Sequence, residues 1–294
     1  MQAGFIHYLT LFLGVLALST SAIFVKLAAA PSAITAFYRL LFALLLLLPL
    51  LLLNKAYWQD LQSLSRRQWQ TGLLSGLFLA IHYILWFESL NYTSVASSTV
   101  IVTLQPLFSF AGGYLLFKER FNVSAILSSI VALLGSFIIA WGDFEISMQA
   151  LYGDLLAFIA AGFITAYFFI GQHMRQKLPV VPYSILGYAA STFFLAVYAL
   201  SQQLSFIDYS QNTWAAFLGI ALISTILGQM LLNLLLKWLS TSVISMSILG
   251  ETIGTCILAY FILGEVITLQ QGIGIIVTLA GLGLFLFYKN KMRT

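Results

Sequence analysis

Apolar residues run through this chain in blocks of about twenty, each closed by a short polar break, a spacing that suits a bilayer. Ten such blocks lie near residues 8–30, 33–53, 70–90, 94–117, 122–141, 152–173, 182–202, 214–236, 241–263 and 269–288. Twenty residues at about 1.5 Å each cross a hydrocarbon core of about 30 Å, so each block predicts one spanning helix. The breaks have physical causes. Pro31 and Pro182 stand at helix starts, where a missing N–H does no harm. The stretch from Asn54 to Gln68 holds Lys55, Asp60, Arg66 and Arg67 and is too polar to be a span. The expected fold is an all-α polytopic membrane protein with ten transmembrane helices.

Composition agrees with that pattern. The 294 residues are 61% hydrophobic and 7% charged, against about 45–50% and about 25% in a soluble domain. A water-soluble fold of this length has no place to hide so much apolar surface. The net charge of +4 is a weak nucleic-acid signal, and the basic residues sit in loops rather than on one stripe, so no nucleic-acid partner is expected. Cys256 is the one cysteine, which excludes an intramolecular disulfide and a cysteine metal cluster. Residues 8–25 followed by Ala28-Ala29-Ala30 look loosely like a cleavable signal. The first ten residues hold no Lys or Arg, however, and Lys26 interrupts the run, so a retained first helix is expected.

Charge placement predicts orientation. Lys55, Arg66, Arg67, Lys118, Arg120, Arg175, Lys177, Lys237, Lys289, Lys291 and Arg293 fall in alternate connections or the tail. On the other side only Lys26 is basic, and Asp143, Glu145 and Asp208 are acidic. By the positive-inside rule both termini are then cytoplasmic, which requires an even number of spans. Trp58, Trp69, Trp141, Trp214 and Trp238 fall near span ends and read as interfacial anchors.

The second half echoes the first. With Leu90–Trp141 laid over Leu236–Phe287, Leu90, Ser94, Tyr114 and Glu119 meet Leu236, Ser240, Tyr260 and Glu265. Ile130, Val131, Leu133 and Gly135 meet Ile276, Val277, Leu279 and Gly281. Halves of 1–147 and 148–294 hold five spans each. An odd number makes the second half enter from the opposite side, so the expected organisation is two inverted five-helix repeats. Many secondary transporters are built this way, with substrate bound near the midplane between repeats.

Several segments resemble the EamA family of the drug/metabolite transporter superfamily. They are His82-Tyr83-Ile84-Leu85-Trp86, the stretch Ser89 to Ser98, Pro106 and Glu119, with Pro31 and Tyr38-Arg39 in the second span. Gly250-Glu251, Leu263-Gly264-Glu265, Gly272, Gly281 and Gly283 continue the likeness in the second half. The resemblance covers the whole chain. It implies ten helices in inverted repeats, and a cavity lined mainly by helices 1, 3, 4, 6, 8 and 9 with helices 5 and 10 peripheral. It further implies export of amino acids or other small metabolites across the cytoplasmic (inner) membrane of a bacterium. One departure stands out: many relatives carry Glu-Pro in helix 9, whereas Thr252 follows Glu251 here, so a kink expected there is in doubt.

Ionisable residues at membrane depth are functional candidates. Glu251 lies ten residues into helix 9 and twelve from its end, about 15–18 Å from either side. It is the expected coupling residue, taking up a proton or pairing with a substrate ammonium; the other reading is a structural acid bonded to a neighbouring helix. Gln105 is its repeat partner. His82, with Tyr83 and Trp86 one turn on, would suit an amphipathic organic substrate. Thr225, Gln229 and Asn233 recur every four residues and line either a cavity or a helix–helix hydrogen bond. Tyr167 is a further substrate-binding candidate and His173 an interfacial one. Arg39 reads as structural, snorkelling outward or pairing with a carbonyl or acid. Glu119 and Glu265 read as caps, and Ser128, Ala132 and Ser136 as a small-residue packing face. Pro106, Gly250 and Gly254 are the expected bending points.

No nucleophile elbow, metal-ligand cluster or phosphate loop is present, so neither an enzyme nor ATP drive nor a cofactor is expected. The expected function is secondary transport of a small amphipathic metabolite by alternating access. Its partners would be the lipid bilayer and protons as coupling ion, and its state a monomer or weak homodimer. The other reading is a receptor or scaffold that binds a ligand without moving it.

Overall fold

A computed structural model describes residues 4–141, 147–264 and 266–291; Asp143, Glu145, Glu265 and Arg293 lie outside them. Among the described residues the chain is all helix and turn, with no strand. The helices are α1 (Phe5–Leu18), α2 (Ser21–Ala28), α3 (Ser32–Leu53), α4 (Lys55–Gln62), α5 (Arg66–Ser89), α6 (Val95–Val102) and α7 (Gln105–Phe117). They continue as α8 (Val123–Trp141), α9 (Met148–Met174), α10 (Val180–Ser201), α11 (Gln211–Gly219), α12 (Met230–Leu235), α13 (Thr241–Leu258) and α14 (Leu269–Lys291). Ile220–Gln229 and Ala259–Leu263 are π-helical. Nine stretches of the described residues are long and apolar enough to cross a membrane, and Val123–Ile139 is a shorter apolar helix. The polar Asn54–Gln68 stretch supplies α4, whose first turn is capped by Asn54 Oδ1 accepting from the Ala56 N–H at 3.0 Å.

The internal echo has local structural meaning. Ser94 and Ser240 are the N-cap residues of α6 and α13, both extended, with ψ of 156° and 157°. Lys118 and Gly264, aligned in the two halves, close α7 and the Ala259–Leu263 segment in the left-handed conformation, with φ of 55° and 71°. Glycine takes that conformation freely; lysine takes it at a cost.

Packing between the halves is reciprocal. The first span of half one, α1, packs on the Ile220–Gln229 segment and α12, the third span of half two. Conversely α5 packs on α9, α3 on α10, and α6 and α7 on α13. The longest seam joins α8 to α14. There Thr278 Oγ1 donates to the carbonyl of its own repeat partner Ala132 at 3.5 Å. A methyl on Gly281 would sit 2.7 Å from Ala132 Cα, and one on Gly135 would press on Thr278 in the mirrored contact. Each contact recurs between the counterparts of its two residues, as a two-fold relation requires. Ser128, Ala132 and Ser136 are buried, and the small-residue face is what lets the two backbones approach.

Helix interruptions differ from expectation in one half. Pro106 sits in the first turn of α7 and the helix breaks at Thr103–Leu104, because proline offers no N–H to the preceding turn. In half two, α13 runs unbroken through Gly250, Glu251 and Gly254, so those glycines are not bends. They are a seat for α1: a methyl on Gly250 would lie 3.4 Å from Val15, and Ser19 packs directly on Gly254. The first span is broken at Ser19–Thr20, where Thr20 Oγ1 bonds Ser224 Oγ at 2.8 Å. Glu119 binds both hydroxyls of the α13 N-terminus, Ser240 and Ser242, each at 2.7 Å, which suits the positive end of that helix. Lys26 donates to the Leu90 carbonyl at the end of α5.

Candidate functional site

Helices from both halves converge on one small cavity lined by polar and apolar side chains. Leu18 comes from the end of α1, and His82, Tyr83 and Trp86 come from α5. Val102 and Gln105 flank the break between α6 and α7, and Ile164 and Phe168 come from α9. Gln229 ends the π-helical segment, and Ile248 and Glu251 come from α13. None of the described residues of α8 and α14 lines it. Six of the seven candidates from the sequence (His82, Tyr83, Trp86, Gln105, Gln229 and Glu251) therefore share one chamber, and all are buried.

Arg39 of α3 is the residue that sequence reasoning missed. It does not snorkel: its side chain is 0% exposed and lines the same cavity. Its Nη1 donates to Ser21 Oγ at 2.6 Å, and its Cζ lies 4.3 Å from the Tyr83 ring centre, a cation–π contact. Position along the span left it a structural residue, snorkelling outward or paired with a carbonyl or acid. Only the packing of α3 against α5 and α10 turns that face inward.

The ring cluster on α5 is ordered by spacing. His82 and Trp86 are one turn apart and stack with centroids 5.6 Å apart. His82 Nδ1 donates to the Ala160 carbonyl of α9 at 3.0 Å; a carbonyl only accepts, so the neutral ring keeps Nε2 as an acceptor. Six buried polar atoms around the cavity have no partner: Arg39 Nε and Nη2, Tyr83 OH, Trp86 Nε1, Gln105 Oε1 and Gln229 Nε2. Each such group costs about 1–3 kcal/mol. A core selected for stability alone would not gather six of them. The free space is about 20 Å³, little more than one water needs, so a metabolite enters only when the surrounding helices part.

Tyr167 is not part of the chamber. It is fully buried behind it, accepting from Asn233 Nδ2 at 2.6 Å. The stripe in the eighth span thus divides. The Thr225 hydroxyl donates to the Ile220 carbonyl five residues back at 3.0 Å, and Asn233 packs between helices. Only Gln229 reaches the cavity. Tyr167→Phe is expected to cost about 1 kcal/mol of stability and to leave ligand affinity within about twofold. Thermal unfolding and ligand titration of the purified variant check both. His173 is exposed at the end of α9, as expected for an interfacial residue.

The EamA-like transporter family matches this chain twice, over residues 5–141 and 151–287. The chain belongs to that family. Its EamA-like halves start 146 residues apart, the offset that separates Gln105 from Glu251. The "Uncharacterized transporter YdfC" of Bacillus subtilis is 26% identical over 262 residues, 88% of this chain and 83% of that protein. An "Uncharacterized transporter" of Synechocystis is 27% identical over 255 residues, 81% of this chain and 71% of its own. A solved crystal structure superposes over 99% of this chain and 100% of that one, with a TM-score of 0.80 at 14% identity; this likeness speaks for the fold alone.

Proposed function

We propose that this EamA-family protein is a secondary transporter that moves a small amphipathic metabolite, an amino acid or a derivative, out across a bacterial cytoplasmic membrane. The observation that carries the reading is the chamber between the two halves. The polar residues that stand out at mid-span, Gln105 and Glu251 from equivalent positions and His82 with its rings, converge there, and Gln105, Tyr83 and Trp86 keep unpartnered polar atoms. Transport under the relatives' names supports the same class.

In this reading ten spans form two inverted five-helix repeats with both termini cytoplasmic. Rocking of one half against the other opens the chamber to each side in turn. The break at Thr103–Leu104 and the π-helical stretches supply the compliance. Glu251 exchanges a proton as the chamber alternates between wet and dry, and the ring cluster packs the apolar part of the substrate. Proteoliposomes preloaded with unlabelled amino acids and presented with the labelled forms test it. Counterflow of at least one amino acid is the expected result. Binding without counterflow would instead make the protein a receptor.

A further inference from the structure

The chamber is unequal in its hydrogen-bonding character. Arg39 Nε and Nη2, Trp86 Nε1, Gln229 Nε2 and the Tyr83 hydroxyl all offer protons that nothing accepts. Gln105 Oε1 is an unpartnered acceptor, and His82 Nε2 and the Glu251 carboxylate line the same space. A ligand that satisfies this set carries acceptors at the end that meets Arg39 and donors at the end that meets Gln105 and Glu251.

The disposition of Arg39 is more specific. A guanidinium has one edge formed by Nε–H and one Nη2–H, parallel and matched to the two oxygens of a carboxylate. Ser21 occupies Nη1, and Tyr83 occupies the guanidinium face. The edge left over, Nε with Nη2, is the bidentate one. The corresponding stretch of the second half, Ile185-Leu186-Gly187 in α10, carries no charge. A cation at this depth is therefore not something the repeat fold itself requires, and keeping one is costly unless it is used.

Resting on the transport reading, the geometry points to Arg39 as the anion anchor of the chamber. Its Nε/Nη2 edge takes the carboxylate of the substrate in a two-bonded clasp. The rest of the ligand lies along His82 and Trp86, and its amino group faces Gln105 and Glu251. The substrate class is then a small zwitterion with a free carboxylate, and neutral amides and simple amines are excluded.

Matched pairs test this on the purified full chain: the L-amino acids and their carboxamides, compared by thermal shift and by counterflow. The carboxylates are expected to bind at least about tenfold more tightly than their amides. Arg39→Gln is expected to erase that preference. Arg39→Lys, which keeps the charge and loses the fork, should reduce it. A purely packing role for Arg39 would weaken both members of each pair equally. Should the variants not fold, the pairs on the wild type still decide. Equal binding of acid and amide, or no acid bound at 10 mM (about a hundredfold above a typical weak site), overturns the anchor. Selective acid binding without counterflow overturns transport and leaves the anchor standing; equal counterflow of both members does the reverse.

Discussion

Glu251→Gln is expected to cut gradient-driven transport at least about tenfold and to flatten its dependence on pH. The substitution is nearly isosteric, so packing around α13 is kept, while the charge and the exchangeable proton are lost. A charge-assisted hydrogen bond is worth about 1.5–3 kcal/mol, or about 10–150-fold in rate or affinity. Glu251 is buried beside Arg39 and Gln105, where water screens little of its field. Passive exchange of labelled for unlabelled substrate should survive better than accumulation, since exchange needs no net proton movement. Stability should fall, because the buried Arg39 loses the carboxylate that lines the same cavity. Both activities are measured in the same proteoliposomes, with a pH step of either sign. Full accumulation with the wild-type pH profile sinks the coupling role.

Gly274→Leu is expected to be strongly destabilising, by about 3 kcal/mol. A methyl there would already lie 2.8 Å from both the Gly135 carbonyl oxygen and the Ile139 backbone nitrogen of α8. Backbone cannot swing aside as a side chain does, so the two helices must separate along their longest seam. Close packing of small residues is the main force between helices in lipid, and its loss has no hydrophobic compensation. Gly283→Ala is the control: nothing lies within 4 Å of its added methyl, and better helix propensity is worth up to about 1 kcal/mol. Unfolding in detergent, followed by temperature-resolved gel filtration, reads both. A Gly274→Leu protein as heat-stable as the wild type would mean that the seam is not close-packed.

The legibility of the candidate site followed the type of signal each residue carried. Glu251, Gln105 and His82 stood out because a polar residue ten or twelve positions into an apolar run has no cheap explanation. The structure places all three around one chamber. Trp86 and Tyr83 came with His82 through helical spacing. Tyr167 was misplaced because aromatic residues are frequent here, 15% of the chain, so one in a span says little about which face it occupies. It lies one position before Phe168, which lines the cavity together with Ile164 one turn earlier. Helical rotation between neighbours separates them. The expected bends at Gly250 and Gly254 failed for a related reason: a glycine in a helix serves equally as a hinge or as a seat for a neighbour, and α1 occupies this one.

Linear order by itself determined the helices, their approximate ends, the duplication and the depth of the polar residues. Each of these depends on length, hydropathy and backbone hydrogen bonding within one segment, and a bilayer leaves a segment no other way to satisfy its amides. Tertiary packing alone decided which face of each helix looks inward. That choice made Arg39, which the sequence left as a structural cation either snorkelling or paired, a chamber wall, moved Tyr167 behind it, and left one edge of a guanidinium open. In a chain apolar on nearly every side, no moment within a helix marks its inner face, so contacts between helices have to select it.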